Sequence, residues 1–144
     1  MAGGIDLSTA PRGIRNNNPG NIEFNPANDW KGQHPQSQQI DKRFCVFTEP
    51  EWGIRALMII LRNYQRKYDL KTVEEIINRW APSSENNTKA YVNHVCKQMM
   101  VEKDEELDLE DKDTLINLSR AICKHENGVQ PYSIYHYMSA WDIM

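Results

Sequence analysis

The sequence predicts a single, mainly α-helical domain of the α+β class, with a small β element within residues 22–47. Three observations lead to this prediction. The length of 144 residues fits one domain with its own apolar core. After Thr48, apolar residues recur at the spacing of an α-helix. Before Thr48, Gly, Pro, Asn and Gln are frequent, so we expect loops there and treat residues 1–11 as an N-terminal extension of the domain 1–144.

Two segments of the N-terminal third have the character of short strands. The sequence RFCVF at residues 43–47 alternates enough for a strand, and IEF at residues 22–24 offers a second short run. The stretch RGIRNNNPGN, residues 12–21, precedes IEF. It is too rich in Asn, Gly and Pro for a helix, so we expect a loop.

The first two predicted helices are marked by capping signals. In TEPE, Thr48 would be the N-cap and Glu51 the N3 residue of a capping box, with a helix that runs to about Lys67. The segment TVEE repeats the pattern from Thr72. This second helix should stop before Pro82, since proline disfavours a helical residue ahead of it.

Three further helices follow from apolar spacing and end signals. A third helix includes residues 91–99, with apolar residues on one face. A fourth begins near Asp113 and ends at HENG, where Gly128 can adopt the left-handed conformation that ends many helices. A short last helix begins after Ser133.

Residues 102–113 hold eight acidic residues and two lysines, so this segment is strongly negative while the rest of the chain carries a small positive net charge. Such a segment is either a solvated connector or a calcium site. The spacing does not fit an EF-hand loop, which needs a central Gly and a final Glu, so we interpret the segment as a connector.

Composition argues against several classes of partner. The net charge of −3 and the lack of a basic stripe exclude nucleic acid as the main partner. The longest apolar run, residues 56–61, is too short to span a membrane. The three cysteines form no metal-binding spacing, and no motif indicates a metal or an organic cofactor. We see no signal peptide and expect a protein made in the cytoplasm with reduced thiols.

The asparagine-rich loop is the first candidate binding element. Its side-chain amides, from Asn17, Asn18 and Asn21, offer the donors and acceptors that glycan hydroxyls and N-acetyl groups need. Alternatively, the same amides cap turns and satisfy one another. Trp30, in DWKG, could stack on a sugar ring or belong to the core.

Four glutamates are candidates for catalysis. Glu51 is explained by its capping box and Glu85 by turn chemistry, whereas nothing local explains Glu23. Glu126 lies at the C-terminal end of a predicted helix, whose dipole favours the protonated form of a carboxylate. A protonated carboxyl group at neutral pH is what a general acid requires. Alternatively, Glu126 is a surface residue before the helix-ending Gly128.

Five segments of the sequence are distinctive: PRGIRNNNPGNI, DWKG, FTEPEWGIRAL, WAPSSENNTKAYVNHV, and AICKHENG with QPY one residue later. Together they resemble a family of phage and prophage proteins that are described as virion structural proteins or lysozyme-like proteins. The resemblance covers about residues 10–135. It implies a phage or prophage protein with a lysozyme-like fold, associated with the virion or delivered to the periplasm, where virion or delivery proteins are further partners.

A second resemblance concerns mechanism. The order of NNNPGNI, WKG and WAPSSENNTKAY is similar to the glucosaminidase branch of the lysozyme superfamily, and Tyr91 matches the substrate-binding Tyr of that branch. There the catalytic Glu ends a helix just before the Asn segment. Here only eleven residues precede Arg12, and none is Glu. A circular permutation would let the helix that ends in HENG replace the missing one, with Glu126 beside the asparagine loop.

These resemblances imply cleavage of peptidoglycan glycan strands by a muramidase, glucosaminidase or lytic transglycosylase. Glu126 would be the general acid and Glu23 the second carboxylate. Asn17, Asn18, Asn21, Trp30 and Tyr91 would bind the substrate. The alternative is a non-catalytic virion or effector module that binds glycan or protein; a structural subunit with no glycan site is a third possibility.

Overall fold

The computed structural model describes residues 9–35, 40–82 and 85–144. Residues 1–8, most of the predicted N-terminal extension, lie outside the described residues. Helices dominate the described residues, which confirms the mainly α class. In chain order they are α1 Arg12–Arg15, α2 Pro50–Tyr68, α3 Val73–Trp80, α4 Glu85–Met99, α5 Lys112–Asn127 and α6 Ile134–Asp142.

Helix α2 is the central element of the core. It contacts both α5 and α6, and its apolar stripe is fully buried at Ile54, Leu57, Met58 and Leu61. A helix buried over so wide a face draws its stability mainly from tertiary packing. It ends at Tyr68, and the next residue, Asp69, adopts a left-handed conformation with φ of 56°.

The predicted capping box at the start of α2 is wrong. The N-cap is Glu49, one residue later than expected, and its side chain makes no capping hydrogen bond. The physical reason is a non-local contact. The N–H of Thr48 donates to the carbonyl of Gly32 at 2.8 Å, so Thr48 continues the extended segment that precedes it.

The predicted capping box of α3 is confirmed. The N–H of Glu75 donates to Thr72 Oγ1 at 3.2 Å, and the N–H of Thr72 donates to Glu75 Oε1 at 3.2 Å. Helix α3 ends at Trp80, before Pro82, as predicted. Helix α4 then packs against α3 and α5.

Helix α5 has the predicted ends to within two residues. Asp111 is the N-cap and accepts a hydrogen bond from the N–H of Thr114 at 3.1 Å. Gly128 ends the helix with a φ of 73°, the conformation that makes glycine favourable there.

The acidic connector is fastened to α2 through its two leucines. Leu107 and Leu109 are buried, and Gln65 binds the backbone of both: its Nε2 donates to the Leu107 carbonyl at 2.8 Å, and its Oε1 accepts from the N–H of Leu109 at 2.7 Å. In the described part of the chain, no three His, Cys, Asp or Glu side chains are grouped to hold a metal ion.

The β element consists of isolated antiparallel bridges, one between Glu23 and Phe44 and one between Gln33 and Phe47. The first joins the two predicted strand segments. Its backbone hydrogen bonds include Phe24 N–H to Arg43 O at 2.8 Å.

The expectation that residues 12–21 contain no helix is wrong for one turn. Arg12–Arg15 form α1, with Gly13 and Ile14 buried. Ile14 is only 2% exposed and belongs to the main core, so tertiary packing stabilises a turn that local propensity disfavours. Among the helices of the described residues, none is long and apolar enough to cross a bilayer.

Candidate functional site

Glu126 lies in the last turn of α5 and faces the asparagine loop. Asn21 Nδ2 donates a hydrogen bond to Glu126 Oε1 at 3.0 Å. Tyr91 of α4 donates its hydroxyl proton to Glu126 Oε2 at 2.7 Å. The predicted contact between Glu126 and the loop is therefore confirmed, and a third element, α4, joins the site.

A second hydrogen bond, from Trp80 at the end of α3, holds the Tyr91 hydroxyl in position. Trp80 Nε1 donates to the Tyr91 hydroxyl at 3.2 Å, which leaves the hydroxyl proton for Glu126. Burial, followed by the negative charge of Glu126, raises the pKa of Tyr91. Tyr91 therefore stays neutral and remains a donor to Glu126.

A histidine pair borders the same site and was not predicted from the sequence. The ring of His125 stacks on Tyr91 with centroids 3.7 Å apart, and its Nδ1 lies 2.9 Å from Nδ1 of His94. Burial, followed by the proximity of His94, lowers the pKa of His125. One feature of the sequence could have indicated this arrangement: Tyr91 and His94 are three residues apart, which places them on one face of α4.

The asparagine loop is itself held by its amides. Asn18 is fully buried: its Nδ2 donates to the carbonyls of Ile22 and Cys45, both at 3.0 Å, and its Oδ1 accepts from the Ile22 N–H. Asn17 Nδ2 donates to the Phe47 carbonyl at 3.0 Å. These two residues support the loop, so the expectation that Asn18 lines a cleft is wrong.

The end of α5 is also fastened directly to the loop. Asn127 is buried and its Nδ2 donates to the Pro19 carbonyl at 2.9 Å. On the other side, Gly53 of α2 lies so close that an added Cβ would come within 1.8 Å of the Asn17 carbonyl oxygen. The loop is therefore a packed part of the domain.

Glu126 forms part of the wall of two adjacent cavities. One has a volume of about 460 Å³ and includes Asn21, Glu23 and Trp80; the other has a volume of about 350 Å³ and includes Tyr91 and His125. The two cavities share Glu126 and Ala81, so Glu126 lies where they adjoin, and we treat them together as one groove. We call this the Glu126 groove.

The remaining candidates have different positions. Glu23 lines the Glu126 groove but is exposed, and its Oε1 accepts from Arg43 Nη2 at 3.1 Å. Trp30 is half-buried against the core, and neither cavity of the groove includes it. Glu51 is half-buried in the first turn of α2. Glu85 begins α4, and its side chain lies outside the described part of the structure.

The fold and the groove define a mainly helical protein with a hydrogen-bonded carboxylate at the junction of two cavities. No protein-family model matches the chain. The sequence is 39% identical over 129 residues to Protein P5 of Pseudoalteromonas phage PM2, a match that covers 88% of this chain and 78% of the relative. The chain therefore belongs to the family of this phage protein.

Proposed function

We propose that this member of the phage protein family cleaves the β-1,4 bonds of peptidoglycan glycan strands, with Glu126 as the proton donor. The position of Glu126 at the junction of the two cavities, where Asn21 and Tyr91 fix both carboxylate oxygens, is the observation that carries the proposal.

The lining of the Glu126 groove suits a sugar polymer. Phe44, Tyr64 and Trp80 give the larger cavity aromatic surface, while Asn21 and Glu23 supply polar groups. Sugar rings present apolar faces and hydroxyl edges, so a wall that mixes aromatic and hydrogen-bonding side chains matches them. The groove volumes fall in the range of small-molecule sites.

The two hydrogen bonds to Glu126 hold its carboxyl group in one position in the groove, and a positioned carboxyl group is the geometric requirement for a general acid. A protonated Glu126 gives its proton to the glycosidic oxygen as the bond to the sugar breaks. Asn21 and Tyr91 keep their hydrogen bonds to the carboxylate that remains. Glu23, on the wall of the same cavity, is our candidate for the second carboxylate. Water or the 6-hydroxyl of the substrate would then trap the oxocarbenium-like centre.

The proposal includes a fold relationship. We infer a lysozyme-like domain in which α5 takes the position of the catalytic helix beside the asparagine loop. The contact of Glu126 with Asn21 and of Asn127 with the Pro19 carbonyl supports this arrangement. A protein with this activity would act from the virion or in the periplasm, with other virion or delivery proteins as partners.

A second candidate function is a non-catalytic phage module, in the virion or as an effector, that binds glycan or protein. One observation favours it: both glutamates of the groove are already hydrogen-bonded within the protein, Glu126 by Asn21 and Tyr91, and Glu23 by Arg43. A groove built only to bind would need no proton donor.

Incubation of the protein with purified peptidoglycan separates the two functions. Cleavage predicts falling turbidity and soluble muropeptides. Mass spectrometry of the new ends would show reducing sugars for a hydrolase and 1,6-anhydro sugars for a lytic transglycosylase. Retention on peptidoglycan without any soluble product would support the binding module and overturn the proposed cleavage.

A further inference from the structure

We propose that Arg43 forms a carboxylate-binding subsite in the Glu126 groove, through which the protein prefers glycans that carry carboxylates over neutral glycans. This inference rests on the proposed function, since it takes the groove to be a glycan site. It adds a specificity-determining residue that does not touch the glycosidic bond.

Arg43 is held in place on the wall of the larger cavity. Its guanidinium carbon lies 4.8 Å from the centre of the Phe44 ring, and both residues line the cavity that contains Glu126. Contact with an aromatic face restricts the guanidinium while leaving its N–H groups at the ring edge for other partners.

The ion pair with Glu23 uses only part of the hydrogen-bonding capacity of the Arg43 guanidinium. Nε and Nη2 both point to a single oxygen, Glu23 Oε1, at 3.3 and 3.1 Å. By contrast, Arg12 binds both oxygens of Asp41, at 2.6 and 2.7 Å. Because guanidinium and carboxylate match best through two parallel hydrogen bonds, Arg43 has unused capacity for an anion.

Because the ion pair between Arg43 and Glu23 is exposed to solvent, breaking it requires little free energy. The side chains of Arg43 and Glu23 are 65% and 66% exposed. Exposed ion pairs contribute little stability, so a bound carboxylate can replace Glu23 at small cost. Among the described residues that line this cavity, Arg43 is the one basic residue, whereas Glu23 and Glu126 are acidic residues. Arg43 is therefore the place in this cavity where an acidic ligand group is favoured.

Peptidoglycan offers such a group from two sources. The lactyl substituent of muramic acid ends in a carboxylate when no peptide is attached, and the peptide stem carries carboxylates of its own. Both share the chemistry that a guanidinium recognises, and chitin oligosaccharides have neither. These three ligands therefore separate recognition of the sugar chain from recognition of the charge.

The test measures binding in the full-length Glu126→Gln protein, which prevents turnover during the experiment. Titration calorimetry at low salt would compare chitin oligosaccharides, peptide-free peptidoglycan strands and soluble glycan–peptide fragments. We expect one of the two acidic ligands to bind about tenfold more tightly than the neutral one, the size expected for hydrogen bonds to a charged group. The preferred acidic ligand identifies the source of the carboxylate.

Paired variants assign the preference to Arg43. Adding Arg43→Gln should remove the preference for the acidic ligand and leave chitin binding unchanged. Adding Glu23→Gln should increase that preference, since the carboxylate that competes for Arg43 is gone. Arg66→Gln is the matched control: Arg66 also forms an exposed ion pair, with Glu110, and lies outside the groove lining. The Arg66→Gln change should alter neither the affinity for the acidic ligands nor the affinity for chitin oligosaccharides.

Three results would overturn the inference and are distinguishable. Equal binding of acidic and neutral ligands removes the role of Arg43 but leaves a glycan groove. A preference that survives Arg43→Gln, in a protein with an unchanged circular dichroism spectrum, places the anion site elsewhere. No binding of any of the three ligands overturns the proposed function as well.

Discussion

Asn21 and Glu126 are 105 positions apart in the sequence and are joined by a hydrogen bond of 3.0 Å between Nδ2 and Oε1. This bond connects the loop near the start of the chain to the helix near its end. The contact of Asn127 Nδ2 with the Pro19 carbonyl, at 2.9 Å, reinforces it. The Glu126 groove exists because these two regions pack together, and the predictions below test that packing and the chemistry built on it.

Gly53→Ala should destabilise the protein although alanine favours helices. In an open helical position, this change stabilises by about 1 kcal/mol. Here the new Cβ would lie within 1.8 Å of the Asn17 carbonyl oxygen, so the loop must move away from α2. We expect a loss of about 1–3 kcal/mol in the free energy of unfolding, measured by urea denaturation. Gly128→Asn is the control, because nothing lies within 4 Å of an added Cβ there and asparagine tolerates the positive φ.

Tyr91→Phe should weaken both the fold and the site. The change removes the donor to Glu126 Oε2 and leaves Trp80 Nε1 without its acceptor. Partners left unpaired in a buried site cost about 1–3 kcal/mol, which thermal unfolding would detect. We also expect slower peptidoglycan cleavage. Tyr135→Phe is the matched control, since Tyr135 is 73% exposed and should tolerate the change. Equal stability of the two variants would contradict the hydrogen-bond chain.

Several helices could be predicted from the sequence because their signals are local. The capping box of Thr72 and Glu75 and the helix end at Gly128 depend on residues within four positions of each other, and both are present. The cap predicted at Thr48 does not form, because the N–H of Thr48 donates to the carbonyl of Gly32, sixteen residues earlier. Likewise, the turn α1 forms because Ile14 joins the core, and no local pattern reports that burial.

The site could be predicted only in part. The resemblance placed Glu126 beside the asparagine loop, a contact that composition and periodicity cannot reveal. It also suggested that Asn17, Asn18 and Asn21 face a ligand, whereas Asn18 is turned inward and binds the carbonyls of Ile22 and Cys45. The pairing of His94 with His125 depends on how α4 packs on α5, which their separate sequences do not determine.

Asp41→Asn should change the pH dependence of stability. The Arg12 guanidinium first, then the N–H of Phe44 and the amide of Asn16, hold the pKa of Asp41 well below its usual range. A pKa that is lower in the folded state stabilises the protein above the unfolded value of about 4 and loses this contribution as pH falls further. The difference in free energy of unfolding between wild type and variant should be largest above pH 5. It should shrink as pH falls from about 4 to 2, whereas a constant difference would contradict this assignment.

His125→Gln should reduce the loss of stability in mild acid. Burial first, then His94, lowers the pKa of His125, while Glu126 opposes the effect. Since the folded pKa lies below the unfolded value of about 6.5, the unfolded chain binds the proton more readily and wild-type stability falls below that pH. Unfolding midpoints measured between pH 7.5 and 5 should drop less in the variant. His34→Gln, outside the groove, should behave like the wild type.

The rate at which a Glu126→Gln variant solubilises purified peptidoglycan tests the central claim most directly. Glutamine keeps the shape of the side chain but has no acidic proton to transfer to the glycosidic oxygen. We therefore expect the rate to fall by about 10²-fold or more while binding to the glycan survives. Glu23→Gln is the paired comparison within the same groove. A folded Glu126→Gln protein that cleaves at the wild-type rate would contradict the account. If Glu23→Gln alone abolished cleavage, the proton donor would be Glu23.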